Sequence, residues 1–172
     1  HLGMKYPFKN GVGQNDPDKK GWRDGESTLY TPDDFNWDQP VENGHVSVGF
    51  DYYFGDGTIY FPPYVWMENN KVLGEPTDVL KNGKESTSEG SLECRPGPAM
   101  KNWDIPEVPV KLTEKAVSWI KEQQKDKPFF LYFSLPSPHA PIVPSRQFQG
   151  KSNAGGYGDY MVQTDWMAGQ VL

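Results

Sequence analysis

His139 is the residue of this chain best suited to proton chemistry. An imidazole changes charge between pH 5 and 8, so it can donate to an anionic oxygen or protonate a leaving group near neutrality. It closes the stretch Phe129-Phe130-Leu131-Tyr132-Phe133-Ser134-Leu135-Pro136-Ser137-Pro138-His139-Ala140-Pro141, a near-continuous apolar run that ends among prolines. Prolines on both sides fix the backbone and reduce the entropy lost in holding one pose. On spacing alone a structural and a functional histidine are both served by this pattern.

The other reactive side chains carry weaker signals. His1 stands before Leu2-Gly3, and His45 follows Glu42-Asn43-Gly44 in a turn-like stretch. Neither has a partner at a spacing that does chemistry. Asp33-Asp34 and Asp16-Pro17-Asp18 sit in polar surroundings where solvated charge explains them, and no carboxylate pair has metal-ligand spacing. Gly155-Gly156-Tyr157-Gly158 precedes a helical pattern and could cradle an anion or serve as a flexible lead-in. Lys151, in Gln149-Gly150-Lys151-Ser152, reads as a surface lysine.

The elements that would position His139 follow from hydrophobic periodicity. Phe129–Leu135, bounded by Lys127-Pro128 and Pro136, predicts a strand buried on both faces, as in the parallel sheet of an α/β protein. Such sheets bind ligands at the carboxyl ends of their strands, where His139 would emerge. Before it, Thr113 predicts a helix cap, with Leu112 stapled on Val117 and Leu112, Ala116, Trp119 and Ile120 on one face. After it, a helix is predicted from Tyr157 onward, with Tyr157, Met161, Thr164, Ala168 and Val171 on one stripe. Helix, strand, loop, helix is an α/β rhythm.

The first half is more irregular. Residues 1–45 are rich in turn signals, and Trp22, Tyr30, Phe35 and Trp37 either pin this loop to the body or form a platform for a sugar or aryl group. Val46–Phe54 contains a short strand ending in Gly55-Asp56-Gly57. Tyr64–Glu68, Asn69-Asn70 and Lys71–Leu73 predict a hairpin. The Gly-, Ser-, Lys- and Glu-rich residues 81–98 predict an exposed loop excursion.

Composition narrows the function. The 172 residues carry 17 Lys and Arg against 23 Asp and Glu, a net charge of -6. No basic cluster opposes it, which argues against a nucleic-acid partner. Only 35% of residues are hydrophobic, so the core must be concentrated in a few segments. One cysteine, Cys94, excludes an internal disulfide framework. No apolar stretch is long enough to span a bilayer. The chain opens without Met and closes inside a helical pattern, so the expectation is a central piece of a longer protein.

Several separate stretches, in order, resemble the sulfatase family, the arylsulfatase-like enzymes of the alkaline phosphatase superfamily. His1-Leu2-Gly3 is similar to the end of the family's Gly-Lys-Trp-His-Leu-Gly motif, and Gly49-Phe50-Asp51-Tyr52-Tyr53-Phe54-Gly55 to its following Gly-Phe-Asp segment. Pro62–Glu68 continues the likeness. The strongest part runs from Lys127 to Leu172 and includes Pro138-His139-Ala140-Pro141, Phe148-Gln149-Gly150-Lys151-Ser152, Tyr157-Gly158-Asp159 and Gln163-Thr164-Asp165-Trp166.

The resemblance implies an α/β domain with a central mixed β-sheet flanked by helices, and a sulfuric ester hydrolase dependent on formylglycine and calcium. By the same resemblance His1 matches the histidine that contacts the formylglycine and acts as base for sulfate release. His139 matches the one that binds sulfate and protonates the leaving oxygen. The nucleophile and the calcium ligands match nothing in residues 1–172, so no metal ligand is assigned and this piece alone is expected to be inactive. Cys94-Arg95-Pro96-Gly97-Pro98 echoes the Cys-x-Pro-x-Arg signature of formylglycine, but Pro98 stands where the arginine is required. The implied partner is a sulfated small molecule or sulfated glycan, and the implied location is periplasmic, lysosomal or secreted. Two rivals stand beside this reading, a phosphoesterase of the same superfamily and a non-catalytic binder of sulfated glycans.

Overall fold

The computed structural model describes residues 4–9, 30–57, 61–81, 84–87, 90–93 and 96–172, with the backbone alone at 84–87 and 90–93. It divides into two compact units, His1–Gly83 with Glu93–Trp103, and Lys84–Leu92 with Asp104–Leu172. The fold class is α/β, as the sequence predicts.

The first unit is built on short strands. β1 (Phe54–Gly55) pairs antiparallel with β2 (Met67–Glu68), which pairs antiparallel with β3 (Lys71–Val72). The β2–β3 hairpin is the one the sequence predicts. Asn69 sits at its turn with φ 57°, a left-handed conformation that Asn tolerates. β4 (Asp78–Leu80) pairs antiparallel with β7 (Gly97–Ala99), and Tyr64 bridges Ala99 in the parallel sense, which makes this pairing mixed. Val41, Val65 and Met67 form the core, covered by Met4, Tyr6, Trp37, Tyr53, Val72 and Met100.

The aromatics of the first loop act as pins. Phe35 is buried, stacks on Trp37 at 4.6 Å and meets Phe8 at 4.4 Å, and the Trp37 indole donates to the Pro32 carbonyl. Trp22 lies outside the described residues. Asp34, expected as solvated charge, accepts the Thr31 backbone N–H at 2.7 Å and caps the short turn Pro32–Asp34. In Val46–Phe54 a 3-10 turn (His45–Val48) comes first, and the strand is confined to β1. The 81–98 stretch, expected as a loop excursion, carries β5 (Lys84–Thr87) and β6 (Gly90–Glu93), paired with each other, and then β7, whose Gly97, Pro98 and Ala99 are buried.

The second unit is helical. α1 (Val108–Glu122) begins five residues before the predicted cap. Pro109 explains the early start, because a proline in the first turn lacks an N–H that would otherwise go unsatisfied. Thr113 is therefore inside the helix, buried, and its hydroxyl donates to the Pro109 carbonyl at 2.8 Å. α2 (Gly155–Val171) packs against α1. It occupies the predicted span but turns a different face inward. Gly156, Asp159, Tyr160, Gln163 and Met167 are buried, whereas Tyr157 and Met161 are exposed.

The predicted buried strand before His139 is not formed. Phe129–Leu135 has no strand pairing among the described residues, and Phe130 and Tyr132 are 78% and 67% exposed. Exposure still alternates from Leu131 to Leu135, the period of a strand, with Leu131, Phe133 and Leu135 half-buried. A run apolar on both faces becomes an interior strand only where neighbours cover both faces. Here the cover is one-sided.

Candidate active-site loop

His139 lies in the second unit, on the irregular stretch that links Phe129–Leu135 to the short turn Arg146–Phe148. The ring is exposed, and its Nδ1 is 2.5 Å from the Ala140 carbonyl oxygen. A carbonyl only accepts, so Nδ1 carries the hydrogen and Nε2 is the free nitrogen of the neutral ring. Once protonated, Nε2–H is the acid available to solvent or a ligand.

The loop is tied to α2 at its base. Ser137 is buried, and its hydroxyl oxygen is 2.7 Å from the Thr164 hydroxyl and 3.8 Å from Met167 Sδ. Thr164 also donates to the Tyr160 carbonyl at 2.8 Å. Farther along, Ser145 N–H donates to Gln163 Oε1 at 2.9 Å, and both residues are wholly buried. The next turn is clamped by Asp159, which accepts Gly150 N–H and Ser152 N–H at 2.7 Å each. Those bonds, from Gly150 first and Ser152 second, hold the Asp159 carboxyl below its ordinary range. Lys151 sits between the two clamped amides with an exposed side chain.

Gly155-Gly156-Tyr157-Gly158 is a packing feature rather than a loose lead-in. A Cβ on Gly158 would fall inside contact distance of Ser152 Oγ and of Ala154 Cβ, so the turn and the first turn of α2 meet closely there.

His45 belongs to the first unit. Its ring stacks on Tyr53 at 4.0 Å, and burial lowers its pKa. The Tyr53 hydroxyl donates to the Asp56 backbone carbonyl at 2.6 Å. Burial pushes the Asp56 carboxyl up to about 6, and raises the phenols of Tyr53 and Tyr6 above their usual range. Asp56 Oδ2, Tyr6 Oη and His45 Nδ1 are buried without a hydrogen-bond partner. Nothing in the sequence marked Asp56 beyond its place in a Gly-Asp-Gly turn.

His1 and Cys94 lie outside the described residues. Among the described residues no group of three or more His, Cys, Asp or Glu could hold a metal ion. The residues described here do not fit calcium, and no chemical step is assigned through it or through formylglycine.

The match that decides the family covers residues 31–172, which fit the sulfatase family model. The chain belongs to the sulfatase family. It is 32% identical over 165 residues to N-acetylgalactosamine-6-O-sulfatase of Bacteroides thetaiotaomicron, a match covering 76% of this chain and 32% of that protein. Human N-acetylgalactosamine-6-sulfatase is 28% identical over 141 residues, covering 72% of this chain and 22% of its own length. A solved Bacteroides thetaiotaomicron structure from work on the metabolism of multiple glycosaminoglycans superposes with a TM-score of 0.61 at 26% identity. That superposition covers 78% of this chain and 34% of the other. The chain thus spans about a third of the length of these bacterial relatives.

Proposed function

We propose that the whole protein hydrolyses sulfate esters, and that His139 binds the sulfate and protonates the leaving oxygen. The observation that carries this is the Nδ1 contact to the Ala140 carbonyl, which leaves Nε2 as the other nitrogen of an exposed side chain on a proline-fixed loop. In the imidazolium form, Nε2–H donates to the ester's bridging oxygen. As an attacking oxygen bonds to sulfur, the S–O bond to the alcohol breaks, its electron pair stays on the bridging oxygen and the proton follows, so a neutral alcohol leaves and the sulfuryl group remains on the attacking oxygen.

A sulfated sugar is the substrate class we favour, because the relatives that match most of this chain are named for sulfated N-acetylgalactosamine. His1, by its motif, would be the second histidine, acting as base. A location outside the cytosol, periplasmic, lysosomal or secreted, goes with that substrate class.

The test is His139→Ala in the whole protein, assayed on N-acetylgalactosamine 6-sulfate. Turnover is expected to fall by roughly 10²-fold, the usual worth of a general acid. Unchanged turnover in a folded variant would remove His139 from the reaction. Wild-type protein that releases phosphate from phosphate esters and no sulfate would overturn the sulfatase reading.

A further inference from the structure

We propose that Thr164 is a positioning residue for His139, acting through the Ser137 hydroxyl. The sequence pattern places Thr164 on an apolar stripe, where Val would serve equally well. The structure gives its hydroxyl two neighbours instead, Ser137 Oγ at 2.7 Å and the Tyr160 carbonyl oxygen at 2.8 Å. The Thr164 hydroxyl has one proton, directed at these two acceptors, so Ser137 Oγ accepts from Thr164 and its own proton is left to Met167 Sδ. The link runs from Thr164 to Ser137, and Thr164 must donate. Valine cannot.

This link matters because of where Ser137 lies. It is 5% exposed, two residues before His139, between Pro136 and Pro138. Each flanking proline has a fixed φ, and Pro141 fixes the chain on the far side. Few torsions therefore remain between the Ser137 anchor and the His139 ring. The anchor itself rests on α2 at residues that do not move freely, since Tyr160 and Met167 are wholly buried. The remaining neighbour of Ser137 Oγ is Met167 Sδ at 3.8 Å, and a thioether is a weak acceptor. Without Thr164, a buried hydroxyl loses its strong hydrogen-bond partner, and the loop loses its polar tie to the helix. A group displaced by about 1 Å can cost a large factor in rate.

The activity arm of the test rests on the sulfatase reading; the spectroscopic arm does not. In the whole protein, Thr164→Val, Thr164→Ser and Ser137→Ala are compared with wild type on two substrates, N-acetylgalactosamine 6-sulfate and nitrophenyl sulfate. Nitrophenolate leaves without a proton, so it has little need of an acid. Thr164→Val should lower kcat on the sugar sulfate by about tenfold and change nitrophenyl sulfate much less. Thr164→Ser keeps the hydroxyl and should stay within about twofold of wild type. Ser137→Ala should reproduce the valine variant, and the double variant should add little, because the two hydroxyls form one link.

In the same proteins the His139 ring nitrogens are followed by NMR. Their signals should shift or broaden in Thr164→Val and Ser137→Ala and stay in place in Thr164→Ser. Equal losses on both substrates with unmoved His139 signals would reduce Thr164 to helix stability and overturn the proposal. If Thr164→Val does not fold, Ser137→Ala decides alone: wild-type His139 signals there overturn it. If wild-type protein cleaves no sulfate ester, the functional reading fails, and the NMR comparison still decides the positioning role.

Discussion

The Asp159 carboxylate spans Gly150 and Ser152, accepting one backbone N–H on each oxygen at 2.7 Å. The first turn of α2 thereby fixes the turn that carries Lys151. Because these bonds favour the ionised form, the folded pKa lies below the unfolded value of about 3.9. For a carboxylate with a depressed folded pKa, the stabilisation is present above the unfolded pKa and is lost as pH falls through the folded one. Asp159→Asn, which does not titrate, should melt below wild type at neutral pH, and the gap should narrow once pH drops below about 4. Thermal melts of both proteins across that range check it. A gap independent of pH would mean the ionised carboxylate is not what the turn needs.

Gln163 offers a second, uncharged version of the same device. Its Oε1 accepts the buried Ser145 N–H at 2.9 Å, so Gln163→Leu leaves a backbone donor unsatisfied in the interior. Such an orphan costs about 1–3 kcal/mol. Urea unfolding should show a loss of that size. A leucine variant as stable as wild type would show that apolar packing compensates for the lost amide.

Gly97 starts β7 where the Pro62 ring lies over the backbone. A Cβ there would fall inside contact distance of the ring's Cβ and Cγ, and the closed ring cannot swing aside. Gly97→Ala should cost about 1–3 kcal/mol, the range for overpacking a filled site. The damage should appear at the pairing of Leu80 with Gly97 and Val79 with Pro98, read by amide exchange in β4. Unchanged protection of those amides would show that Pro62 yields.

What was legible in the sequence was local. The Asn69-Asn70 turn and the span of α2 both depend on signals within a few residues. The start of α1 was misread because Thr113 has the side chain of a cap, while Pro109 four residues earlier is equally suited to a first turn. The buried face of α2 was misread for a different reason. Asp159 and Gln163 are inside because each accepts backbone N–H groups from chain before the helix, and a periodicity of apolar residues cannot register that. The run Phe129–Leu135 kept the alternation of a strand without the neighbours that would bury it. His139 stood out as a candidate because the prolines around it are visible in the chain itself. The hydroxyl link that holds its loop was not, since Ser137 and Thr164 are 27 residues apart.

Asp56 gives the first unit a pH dependence of opposite sign to that of Asp159. Burial raises its carboxyl to about 6, against an unfolded value of about 3.9. Between those values the native state holds more protons than the unfolded state, so stability falls as pH rises and levels off above about 6. Asn in its place is neutral throughout and should remove that slope. Asp56→Asn and wild type should therefore be nearly equal at about pH 4, and the variant should be the more stable at pH 7, with about 3 kcal/mol as the ceiling set by the shift. Taking the difference between the two proteins cancels the contribution of His45, whose own pKa is lowered by burial. Urea unfolding at several pH values between 4 and 7 measures it. Parallel curves would show that Asp56 is solvated in the folded chain.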